Sequence, residues 1–168
     1  SSKTVILHQQ SIAFSANPTA TGLTDLRNTW KDARKVWEQT ESFLFGPVAT
    51  ENIDPRIDTW PVNFNDLEVI LNNGLPLNES YINTLDDALK GFHPIEYLIF
   101  GLNGNKQHTD FTARELEYLT ALTQNLKTLT GNLATGWSPA ASGSYYFSFI
   151  NAGNGSTIYT SQKAAYEE

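Results

Sequence analysis

Thr112-Ala113-Arg114-Glu115-Leu116 opens the stretch that decides the fold. A threonine followed three residues later by a glutamate is a capping box, in which the hydroxyl and the carboxylate satisfy each other's backbone N–H groups. Phe111 and Leu116 stand around it in hydrophobic-staple positions. Leu116, Leu119, Leu122, Leu126, Leu129 and Leu133 then recur at spacings of three and four until Gly136. That is one apolar stripe along one long helix. Such a stripe must be covered by other helices, so the predicted fold is an all-α helical bundle.

The flanking sequence repeats the pattern. Leu23, Leu26, Trp30, Ala33, Trp37 and Leu44 predict one helix over residues 21 to 45. Residues 4 to 16 predict a shorter helix with Val5, Ile6, Gln9, Ile12 and Ala13 towards one face, ended by Asn17-Pro18. Asn65 or Asp66 caps a helix through Leu67 and Ile70, and Asn78 caps another carrying Tyr81, Ile82, Leu85 and Leu89. Residues 49 to 63 read as a long ordered loop, with Asp54 before a proline and Trp60-Pro61 pointing to a packed, rigid segment. Residues 137 to 161 are rich in glycine, serine and aromatics, and Tyr145, Tyr146, Phe147 and Phe149 are expected to pack across the bundle.

A chain of 168 residues fits one domain, and 40% apolar and 12% aromatic residues mark it as globular. The net charge of −7 argues against a nucleic-acid partner. The lack of cysteine removes disulfides, thiolate ligands and a cysteine nucleophile together. No apolar run reaches the roughly 18 residues of a membrane span.

The chemistry concentrates in Gly91-Phe92-His93-Pro94-Ile95-Glu96-Tyr97-Leu98-Ile99-Phe100-Gly101. Proline favours the first helical turn, which predicts His93 as the N-cap and Glu96 three residues on, on the same face. The helix dipole there favours an ionised Glu96 and a neutral His93, the states that bind a metal. The plainer reading is a glutamate that caps its own first turn. Upstream, Arg34, Glu38 and Glu41 form a strip beside the Trp30–Trp37 face. Glu41 lies four residues after Trp37 and three before Leu44, so it is expected to face inward and to need a partner, either Arg34 or a metal. If residues 49 to 63 are extended, Arg56 and Asp58 project to one side, as an ion pair or as ligands. His8 and His108 are expected at the surface. One imidazole with several carboxylates suits iron, zinc or calcium without selecting among them. No His-Glu-x-x-His is present, and no general base stands apart from these ligands.

Three stretches in order carry a resemblance: Trp37 to Val48, Asp54-Pro55-Arg56-Ile57-Asp58-Thr59-Trp60-Pro61, and Gly91-x-His93-x-x-Glu96 with its Tyr-Leu-Ile-Phe-Gly continuation. Together they resemble the imelysin-like family over roughly residues 20 to 155. The resemblance implies an all-helical fold of two bundle-like halves, of which this chain looks like the first. It implies export to the periplasm or the bacterial cell surface, with a signal or lipid anchor upstream of Ser1. It also implies a link to iron uptake, with other uptake components as partners, and it carries a metallopeptidase label. Three readings follow: a metal-binding protein of iron acquisition with His93, Glu96 and Glu41 at its centre and Arg34, Glu38, Arg56 and Asp58 around it; a metallopeptidase using His93 and Glu96; or a helical scaffold held by a buried His–Glu network.

Overall fold

A computed structural model describes residues 2–168, and the described residues form helices and turns with no strand. Three long helices frame the bundle: α1 (Ser2–Ala16), α2 (Ala20–Glu38) and α8 (Ala113–Gly136). Between α2 and α8 run α3 (Pro47–Thr50), α4 (Ile53–Asp58), α5 (Phe64–Asn72), α6 (Glu79–Thr84) and α7 (Phe92–Phe100). Two short helices follow, α9 (Tyr145–Ile150) and α10 (Gln162–Glu167).

The Thr112–Glu115 capping box forms as expected, and the α8 stripe buries Leu119, Leu122, Leu126 and Leu129. α7 runs through the middle of the molecule, with Phe92, Ile95, Leu98 and Ile99 almost inaccessible. Apolar residues around most of its circumference leave such a helix no choice but the core. Side chains from neighbouring helices pin its ends. Trp30 Nε1 donates to the Phe92 carbonyl at 3.0 Å. Arg27 donates to the carbonyls of Ile99 at 2.9 Å and Lys106 at 2.6 Å, satisfying groups at the helix's C-terminal end.

Four expectations are corrected. α2 ends at Glu38, and Glu41–Phe43 is a separate 3-10 turn in which Glu41 is exposed and Leu44 is 43% exposed. The strong period up to Trp37 does not extend through Gln39-Thr40, where the Thr40 N–H and hydroxyl both turn back to the Trp37 carbonyl. Residues 49 to 63 are not one extended loop, because α3 and α4 fill most of them. The packed segment expected at Trp60-Pro61 leaves Trp60 66% exposed. Finally, α1 buries the face opposite to the expected one: Thr4, Leu7, His8, Ser11 and Phe14 are inside, while Val5, Ile6 and Ile12 are exposed.

That last inversion has a physical cause. α1 meets α8 along a seam of hydroxyls: Thr4 to Thr130 at 2.7 Å, Ser11 to Thr123 at 2.7 Å and Ser15 to Thr120 at 3.0 Å. His8 joins it through Nδ1, 3.1 Å from Thr123 Oγ1, so it is a buried histidine rather than a surface one. Burial first, then Lys127, lowers its pKa below the ordinary histidine value. Small polar side chains that satisfy one another can line a helix interface. His108 lies half-buried in the 3-10 turn His108–Asp110.

The tail aromatics gather at the Gly46 corner. Trp137 packs edge-on against Phe45, Tyr145 and Phe149, and Tyr159 closes the cluster. Phe147 stays outside it and is exposed.

Candidate metal centre

The site is built where the C-terminal end of α4 meets the first turn of α7. Gly91 lies immediately before α7 with φ +85°, a backbone region costly for residues with a Cβ. Its missing side chain lets the two elements touch: a Cβ there would lie 2.3 Å from the Ile57 carbonyl oxygen. The next residue on α4, Asp58, is thereby delivered to His93.

His93 is the second residue of α7, and Gly91 holds the N-cap position expected for His93. Both imidazole nitrogens meet carboxylates. Nε2 is 3.1 Å from Asp58 Oδ1, and Nδ1 is 3.2 Å from Glu96 Oε2. Ionised carboxylates only accept, so the two contacts together favour the doubly protonated ring, which donates from both nitrogens. The hydrogen bond to Asp58 raises the His93 pKa above the ordinary value, against the opposing effect of burial, and Glu96 adds to the rise. The dipole's preference for a neutral ring is overruled by two adjacent carboxylates.

Asp58 is the hub. Its side chain is 7% exposed, and it receives Arg34 Nη1 and His93 on Oδ1 and Trp37 Nε1 on Oδ2 at 2.6 Å. Burial alone would raise its pKa; the His93, Arg34 and Trp37 donors outweigh that and hold it below the usual carboxylate range. Arg34 also pairs with Glu38 at 2.6 Å. Glu41 is close enough to Asp58 to interact with it. Desolvation, Glu38 and a hydrogen bond shared with Asp58 push its pKa up.

The two sides of His93 differ. Asp58 is enclosed and fully engaged by donors, whereas the Glu96 side chain is 42% exposed. His93 and Glu96 open onto a groove of about 470 Å³ walled by Trp60, Phe64, Tyr97, Phe100 and Leu102. The Trp60 ring stands edge-on to the imidazole at 4.8 Å.

The family described as imelysin, a peptidase family by name, matches residues 2–168. The chain belongs to the imelysin family. It is 32% identical over 160 residues to iron-regulated protein A of Synechococcus elongatus, covering 95% of this chain and 41% of that protein. It superposes with TM-score 0.84 and 26% identity on a solved structure described as an iron-regulated protein A precursor of Parabacteroides distasonis. That match covers 99% of this chain and 48% of the other. The imelysin chain therefore spans under half the length of these relatives.

Of the residues singled out in this imelysin sequence, His93, Glu96, Asp58, Arg34, Glu38 and Glu41 come together around one carboxylate hub. Arg56 does not: its guanidinium turns to Asn83 Oδ1 at 3.2 Å. In the helix α4, unlike an extended strand, residues two apart point in different directions. Trp37 and Trp60 also belong to the site. Trp37 reads in sequence as a core residue, and only its buried indole N–H, which needs an acceptor, hints otherwise. Among the described residues, no three His, Cys, Asp or Glu side chains converge as a metal-holding group.

Proposed function

We propose that this imelysin-family chain binds a metal cation through His93 Nδ1 and Glu96, in a protein that handles iron outside the cytoplasm. The carrying observation is the asymmetry of His93. Metal-bound histidines commonly donate their second N–H to a carboxylate, which fixes the ring and raises its basicity. Asp58, held by Arg34 and Trp37, is placed to do this at Nε2. That leaves Nδ1 and the more exposed Glu96 carboxylate, now bridged only by a proton, as the donor pair. A neutral imidazole and a carboxylate suit iron or zinc. The iron-regulated relatives favour iron, and the description of one as a precursor supports export to the periplasm or cell surface. No helix among the described residues is long and apolar enough to cross a membrane.

The test is calorimetric titration of chelator-treated protein with iron, zinc and calcium. Glu96→Ala and His93→Ala are expected to abolish binding while circular dichroism keeps its helical form. Unchanged affinity in both variants would refute the assignment.

The saturation of Asp58 by three donors favours a second reading, in which the cluster is a polar lock between α2, α4 and α7. In that case no metal binds, and His93→Ala lowers stability instead. The metallopeptidase reading rests on the family name, and the geometry adds no general base distinct from the two donors.

A further inference from the structure

The pair His93 and Glu96 supplies two donor groups, and transition-metal sites take four or more. Asp58 is spent on Nε2, Arg34 and Trp37, and no group of three His, Cys, Asp or Glu among the described residues is arranged to hold a metal. The remaining positions are open to donors from outside the described residues. Beside the pair lies the 470 Å³ groove, within the size range of small-molecule sites and too small for a folded partner. Its walls are unusual for a surface. Trp60 is 66%, Leu102 72% and Phe64 38% exposed, and Phe64 packs tilted against Tyr97 at 5.0 Å. Large apolar side chains clustered in the open next to a polar donor pair mark a place where an organic group is buried.

Resting on the metal reading above, we infer that the cation is taken up as a complex with a flat aromatic chelator, whose ring lies in the Trp60–Phe64–Tyr97 groove while the metal meets His93 and Glu96. Aromatic walls favour a ring over an aliphatic group of equal size through edge-to-face and offset contacts. The Glu96 carboxylate at the mouth, with Glu68 at the Tyr97 hydroxyl, favours a positively charged complex at the donor pair, while Arg27 and Lys31 stand over the Phe100 ring. The chelator fills the coordination positions that the protein leaves open. No bond of the chelator is made or broken; a proton leaves Nδ1 as the metal arrives.

Two zinc complexes of equal charge test this: zinc with one 1,10-phenanthroline, and zinc with one ethylenediamine. Both chelators are neutral and bidentate, so they differ in the ring. Titrated calorimetrically into the 168-residue chain, the phenanthroline complex is expected to bind about tenfold more tightly, the value of two good ring contacts. Trp60→Leu is expected to bring the ratio of the two affinities towards one, and Glu96→Ala to weaken both. Equal affinities in the wild type would overturn the inference and leave the metal site standing. Phenanthroline binding that needs neither zinc nor Glu96 would overturn it too, by making the groove a site for rings alone. Binding of neither complex would remove the metal reading and this inference with it.

Discussion

The carbonyl oxygen of Ile57 lies 2.3 Å from where a Cβ on Gly91 would be. Glycine therefore does two things at once: it accepts φ +85° and it lets α4 close on α7. Gly74 separates the two effects, since it has φ +70° and nothing within 4 Å of a built Cβ. Gly74→Ala is expected to cost about 1 kcal/mol, the backbone penalty alone. Gly91→Ala must also force backbone from backbone, and a loss of at least about 3 kcal/mol is expected. Urea denaturation measures both. Equal losses would show that the close approach of Ile57 does not matter.

Asp58→Asn tests the hub. The amide keeps one acceptor oxygen and turns an NH₂ group on donors, leaving Arg34 without its carboxylate. Breaking a buried pair from one side costs about 3–5 kcal/mol. Arg34 retains 17% side-chain exposure and Glu38 as a second partner, so about 2 kcal/mol is expected here. A cycle with Arg34→Gln should return a coupling of at least about 1 kcal/mol. Additive losses would mean that the two charges are not energetically joined.

His93 and His8 give metal-free stability opposite pH slopes. His93 has a raised folded pKa, so its contribution is fully present below about 6.5 and is lost as pH rises through the folded value. His8 has a lowered folded pKa. Its contribution is present above about 6.5 and is lost as pH falls through the folded value. Stability measured by urea between pH 5 and 9 should therefore fall on both sides of neutrality. His93→Gln should flatten the alkaline limb and His8→Gln the acidic one. An unchanged profile in either variant would show that the histidine concerned does not titrate as its surroundings require.

The bundle was legible in sequence wherever apolar periodicity and capping agreed. The α8 stripe with its Thr112–Glu115 box, the Leu23-to-Trp37 face and the Asn78 cap all stand where the residues put them. What was hidden depends on partners far along the chain. α1 presents one face of Val5, Ile6 and Ile12 and another that mixes Leu7 and Phe14 with Thr4, His8 and Ser11, and the threonines of α8 supply the partners that let the mixed face go inside. The inward-facing Glu41 followed from extending a period past Glu38, where a local turn breaks it. His93 and Glu96 were visible as a pair. That Asp58 claims the second imidazole nitrogen was not, because nothing local brings residues 58 and 93 together. Only the bare Gly91 backbone against Ile57 does so.

The hydroxyl seam yields the last prediction. Thr123 is fully buried, and its Oγ1 lies within hydrogen-bond reach of His8 Nδ1 at 3.1 Å, Ser11 Oγ at 2.7 Å and the Thr120 carbonyl at 3.0 Å. Thr123→Val keeps the volume but takes the hydroxyl partner from His8 Nδ1 and one of two partners from Ser11, whose hydroxyl keeps the His8 carbonyl at 2.7 Å, and leaving a buried polar group unpaired costs about 1–3 kcal/mol. Removing the Ser11 hydroxyl as well should cost less than it does alone, because deleting both partners of a buried hydrogen bond is milder than deleting one. Ser11→Ala with Thr123→Val should thus be less destabilised than the sum of the two single variants, by about 0.5–1 kcal/mol. Additivity in urea denaturation would mean that the Ser11–Thr123 contact contributes only its shape to the interface of α1 with α8.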